Sequence, residues 1–183
     1  MNAGELLDVC TRRVRGEGGL AHSESLVLAI LSKCQAVVNC NKQSLVSSVV
    51  VSTIPRKLFY ALSDIIPDAI DILDVQYEDK SLACIPNYDF IAMSCGYSWF
   101  RSIADHPQSW CQIGKSLLAL WPGCERSVNV TVRYIKEPTK FVNRNVTLEI
   151  KNEHFADLER LGEISLLLRQ RHVADAVSLI KAK

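Results

Sequence analysis

This sequence has almost no net charge: 21 Lys and Arg stand against 20 Asp and Glu over 183 residues. At +1 near neutral pH the chain has no global field to draw nucleic acid or an anionic membrane toward it, so any such contact has to be local. Also missing is an apolar run of the roughly 18 to 20 residues that span a bilayer. The opening Met1-Asn-Ala-Gly-Glu-Leu-Leu-Asp8 has no basic-then-apolar secretion signal, and a cytoplasmic protein without a membrane partner is expected. Neither common glycine-rich phosphate loop is present. Gly114-Lys115-Ser116 imitates the end of one, but Ser109 holds the place of its first glycine. There is no internal repeat and no low-complexity tract.

The seven cysteines, Cys10, Cys34, Cys40, Cys84, Cys95, Cys111 and Cys124, are odd in number and include no Cys-x-x-Cys pair. That argues against both a disulfide framework and a zinc site. His22, His106, His154 and His172 are scattered singly, and no metal or cofactor is expected. Cys34 lies within Ile30-Leu-Ser-Lys-Cys-Gln-Ala-Val-Val38, where a free cysteine packs as a small hydrophobe. Cys111 and His106, five residues apart in one segment, invite a thiol-nucleophile reading. Catalytic Cys and His come from separated segments that meet in the fold, so a buried thiol beside a loop histidine is preferred. No residue is given a catalytic role, and the chain is read as a non-enzyme.

What is present is a change of period along the chain. Asn2 and Glu5 form a capping-box pattern ahead of Ala3, Leu6, Leu7, Cys10 and Val14, which predicts a helix over 3–14 ending before the glycines at 16–19. Ser23 serves as N-cap for a second helix with Leu26, Val27, Ile30, Leu31, Cys34, Val37 and Val38 on one face. From Leu45 to Ile54 the residues are β-branched and bounded by Pro55, which predicts a strand. Leu58–Leu62, as strand or helical turn, Ala69–Tyr77 and Leu82–Ile85 follow, then a short helix from Pro86 to about Cys95. Two strands near 115–121 and 128–135 would form a hairpin around Pro122 to Ser127. From Asn152 the helical period returns, with Phe155, Leu158, Leu161, Ile164, Leu168, Val173, Val177 and Ile180 as one stripe, broken near Arg171. The expected class is α+β: a single domain whose helical part, 1–43 and 151–183, bundles both chain ends around an inserted antiparallel β module, 44–150.

Arg12, Arg13 and Arg15 cluster at the end of the first helix. Cations there match the helix dipole, and the same cluster is a candidate contact for DNA or an acidic partner. Trp99, Trp110 and Trp121 fall in or beside the β module, where large aromatics serve as core.

The order of these elements resembles that of the head-to-tail connector, or adaptor, proteins of tailed bacteriophages, particularly the short-tailed podoviruses. Three stretches carry the resemblance. They are Ala3-Gly-Glu-Leu-Leu-Asp8 with His22 to Val38, the middle order Trp99, Pro107, Leu117 to Pro122 and Val130-Thr-Val-Arg-Tyr134 to Pro138, and the C-terminal entry Ile150 to Leu158. The seven cysteines and the serine- and valine-rich 44–53 segment depart from the family pattern. The resemblance implies a virion protein assembled in the host cytoplasm as a ring of about a dozen copies between the portal protein and the tail or nozzle proteins. Double-stranded DNA would pass through its channel. In that family the C-terminal segment docks into the portal, which makes Ser178, Leu179, Ile180, Lys181, Ala182 and Lys183 the candidate docking tail. Arg12, Arg13 and Arg15 become the candidate lumen residues. A near-neutral lining suits a channel through which DNA slides, since each Lys or Arg contact adds salt-sensitive grip. The alternatives are a tail-completion or stopper protein, a thiol enzyme using Cys111 and His106, and a small DNA-binding regulator.

Overall fold

The computed structural model describes residues 1–15, 23–87, 102–169 and 173–181. It is mixed α+β, with five α-helices among the described residues and mainly antiparallel sheets. The chain divides into two compact units, residues 1–45 with 137–183, and residues 46–136.

In the first unit, α1 (Ala3–Arg15) begins with the predicted capping box in place. The Asn2 N–H donates to Glu5 Oε2 at 2.9 Å, and the Glu5 N–H donates to Asn2 Oδ1 at 2.8 Å. The remaining orphan donors of the first turn find carbonyls far along the chain: Ala3 N–H meets Val146 O and Gly4 N–H meets Arg144 O, each at 2.9 Å. Gly4 permits this approach, because a Cβ there would lie 3.0 Å from Arg144 Cβ. Arg144 also reaches Asp8 at 3.2 Å and Glu24 at 2.9 Å. These contacts explain why residues 137–150, read from sequence as part of the β module, group with the helices instead.

The second helix, α2 (Glu24–Lys42), buries Val27, Leu28, Leu31, Cys34, Gln35, Val38 and Asn39. The buried face is turned from the predicted stripe, for Val37 is exposed and the polar Gln35 and Asn39 are inside. Asn39 has a reason to be there: its Oδ1 accepts from the Leu45 N–H, and its carbonyl accepts from Gln43 and Ser44 as the helix ends. Gln43 takes the left-handed C-cap conformation, φ 49°.

The C-terminal stripe is two helices, α4 (Phe155–Arg169) and α5 (Val173–Lys181), where α3 denotes the four-residue Leu62–Ile65 of the other unit. The Arg160 guanidinium donates to the Leu179 carbonyl, with Nε at 3.1 Å. In one continuous helix those residues would stand about 28 Å apart at 1.5 Å per residue, so α5 doubles back on α4. The predicted break near Arg171 lies outside the described residues. The core joins Leu6, Leu7 and Cys10 of α1, Leu31 and Cys34 of α2, Leu158 and Leu166 of α4, and Ala176 of α5.

In the second unit one sheet orders its strands β1-β10-β3-β4 and another β2-β8-β7-β5. The strands of the first are β1 (Val46–Ser52), β10 (Asn129–Lys136), β3 (Ala69–Tyr77) and β4 (Lys80–Ser81). Those of the second are β2 (Phe59–Ala61), β8 (Leu117–Trp121), β7 (Ser109–Ile113) and β5 (Ala83–Cys84). A parallel pair, β6 (Ile103–Ala104) and β9 (Gly123–Cys124), stands apart, and β5 also runs parallel to β7. Val51, Ile72, Val75, Val130, Val132 and Tyr134 from one sheet share a core with Tyr60, Trp110, Leu118 and Leu120 from the other. The strand over 115–121 does not pair with the strand over 128–135. β8 turns back onto β7 through Gly114-Lys115-Ser116, and β10 lies between β1 and β3. Gly114, at φ 60°, closes the shorter turn. Of the helix predicted from Pro86 to Cys95 only Pro86 and Asn87 are described; the rest of it, and Trp99, lie outside the described residues.

Candidate functional site

Of the two groups singled out from the sequence, Arg13 from one and Ser178 and Leu179 from the other meet in one place. Arg13 and Val14 near the end of α1, Glu163 and Leu167 of α4, and Asp175, Ser178 and Leu179 of α5 line a cleft of about 280 Å³ in the helical unit. Arg13 crosses to α4, with Nη1 2.5 Å from Glu163 Oε1 and Nη2 3.5 Å from Glu159 Oε2. Glu163 is only 7% exposed, and burial of a carboxylate at that depth requires a partner. The hydrogen bond to Glu163, then its charge, raise the Arg13 guanidinium above its ordinary range. The fixed cation therefore serves first to hold α1 on α4.

Arg12 is exposed and makes no ion pair among the described residues. Arg15 ends α1, and its side chain lies outside the description. Ser178 donates to the Asp175 carbonyl at 2.7 Å, Leu179 is half-buried against the helical core, and Ile180 and Lys181 are exposed. Residues 178–181 are thus the last turn of a packed helix, and Ala182 and Lys183 lie outside the described residues. A second, apolar cleft of about 490 Å³ runs between α2 and α4, lined by Ile30, Cys34, Val37, Leu161 and Leu168, with Lys33 and Arg169 beside them.

Removing the Arg13 guanidinium exposes the cost of its partner. Arg13→Ala is expected to destabilise the helical unit by about 1–3 kcal/mol, at the low end of buried-pair losses because the arginine is half-exposed. Arg13→Ala with Glu163→Gln should recover most of that loss in urea denaturation, and failure to recover any would show that the buried carboxylate is not the source.

The thiol pair is not assembled as a nucleophile would need. Cys111 is buried, its Sγ donates to the Gln112 carbonyl at 3.7 Å, and burial pushes the thiol up, away from the thiolate. His106 instead stacks on Tyr77, ring centres 4.7 Å apart. Gly114-Lys115-Ser116 joins two strands, whereas a phosphate cradle opens a helix. Among the described residues no three His, Cys, Asp or Glu side chains converge as metal ligands, and the six described cysteines are free thiols. Trp110 is core and Trp121 packs beside Leu58, Cys111 and Ala119.

Sequence reasoning missed Glu163 and Asp175 as parts of the cleft and Glu159 as a partner of Arg13. The one available signal was a glutamate falling on the buried side of a helix, which a count of apolar positions discards. No family model matches the chain, and no curated protein matches it.

Proposed function

We propose that this chain is a structural head-to-tail adaptor of a phage virion, forming a ring between portal and tail that extends the DNA channel and receives tail components. The observation that supports this best is the division of labour along the chain. Both ends belong to one helical unit, read here as a bundle, while residues 46–136 build a β unit with its own core. A ring closes through heterologous contacts, which need two different surfaces on each copy. Exposed apolar side chains are available on each unit, Val37 and Leu168 on the helices, Val46 and Phe59 on the strands and Ile54 just after β1. In this reading the end of α5 faces the portal, with Ser178 to Lys183 as the docking segment, and the exposed Arg12 faces passing DNA, with Arg15 as the second lumen candidate. Arg13 is spent on Glu163 and contributes little grip.

Electron microscopy of virions from the source of this sequence tests the proposal. The expected result is a closed ring of this chain directly beneath the portal. Density one level further down would assign it as a stopper instead, and absence of the chain from purified virions would end the structural reading.

A further inference from the structure

Among the described residues nothing pairs with the outer edge of β1. It is the terminal strand of the sheet β1-β10-β3-β4, so alternate backbone N–H and C=O groups point away from β10. Natural edges are blunted by charge, proline, a bulge or brevity. β1 has none of these: Val46-Ser-Ser-Val-Val-Val-Ser52 is uncharged, and its seven residues pair with β10 without a register shift. Val46 and Val50 are 42% and 62% exposed. The opposite edge of the same sheet is protected. β3 carries Asp71 and Asp74, the Ile72 N–H is taken by Asp71 Oδ1 and Gln112 Oε1, and β4 covers the end at Gln76 and Tyr77.

We infer that β1 is a self-association edge on which a second copy of this chain sits, strand against strand and antiparallel, about a two-fold axis through Val49. The occupant follows from the residues. In that register Val46 faces Ser52, Ser47 faces Val51, Ser48 faces Val50 and Val49 faces its own copy, so no like charges meet and valine or serine lies opposite throughout. Val51 belongs to the core of the β unit and Val49 packs against it, so the pairing extends that core from one copy to the other. The result is one sheet of eight strands. An isologous contact closes at two copies, and the carboxylate-bearing β3 edge opposes further growth. This inference does not rest on the connector reading, because a two-fold contact cannot propagate round a ring. It describes the protein free in solution.

Sedimentation velocity of the full chain tests it. A 20.5 kDa monomer should give way to a dimer of about 41 kDa as concentration rises. Ser48→Lys and Val50→Lys, both at exposed positions, should weaken the dimer at least about tenfold, since each interface must then take up two charges against uncharged strands. Val142→Lys, at a position 79% exposed in the helical unit, should leave it unchanged. Circular dichroism confirms that the variants are folded. Should one not fold, hydrogen exchange on the unmodified chain serves, with the β1 amides slowing as concentration rises. A chain that stays monomeric, that forms open-ended assemblies, or whose dimer survives both lysine variants would overturn the inference.

Discussion

Gly162→Leu will abolish the folded helical unit, and Gly162→Ala will weaken it, although both replacements favour the helix intrinsically. Gly162 lies in the middle of α4, and a Cβ there would stand 2.7 Å from Leu31 Cδ2 and 3.1 Å from Cys10 Sγ. Leu31 and Cys10 are both fully buried, so neither side chain can swing into solvent to make room. Alanine gains about 1 kcal/mol of helix propensity over glycine and meets an overpacking cost of about 1–3 kcal/mol. Leucine adds three more carbons to the same contact between α4 and its neighbours, and the cost becomes comparable with the roughly 5–15 kcal/mol that holds a domain together. Far-UV circular dichroism during thermal unfolding reads the helices. All three tryptophans lie within residues 46–136, so their fluorescence follows the other unit separately. An alanine variant that melts at or above the unmodified chain would refute the packing argument.

Alkali will unfold the helical unit through Cys10. Burial, followed by the Glu163 and Glu159 carboxylates, pushes this thiol up from 9.0 to about 12. The folded chain then keeps its proton where the unfolded chain has lost it. Stability from this group is therefore complete below pH 9 and declines as pH rises toward 12. A separation of that size corresponds to about 4 kcal/mol when fully developed. Cys10→Ala removes the titrating group at the cost of a small cavity, so it should start less stable near neutrality and lose less on going alkaline. Every other ionisable side chain is the same in both proteins, which leaves the difference between the two slopes of urea-unfolding free energy against pH as the readout. Identical slopes would mean that Cys10 does not govern the alkaline limb.

Local signals were read well where they were complete within a few residues. Asn2 and Glu5 announce a cap and form it, and Ala69–Tyr77 is a strand over its whole predicted length. Patterns that needed a partner failed. The apolar run Leu117–Trp121 and the alternation of Val130–Tyr134 mark two strands, but not which strand lies alongside each, and Gly114 offered a shorter closure than Pro122 to Ser127. The stripe from Phe155 to Ile180 could not show that α5 folds back, because periodicity is blind to where a helix stops relative to its neighbour. The candidate site was half-legible for the same reason: Arg13 reads as a cation at the end of a helix, while Glu163, which claims it, lies 150 residues away.

The sequence by itself determined the kind of the longer elements, though not of Leu58–Leu62 or of the strand Ser109–Ile113, together with the near-zero charge and the buried character of most thiols, because propensity, capping and hydrophobic period act within a turn or two of chain. Only the tertiary structure decided that residues 137–150 close over the start of α1, that a glycine and a glutamate face the core of α4, and that β1 is left as an open edge. Each of those depends on how closely two distant backbones approach and on which groups are then left without water, and these quantities exist only once the chain has packed.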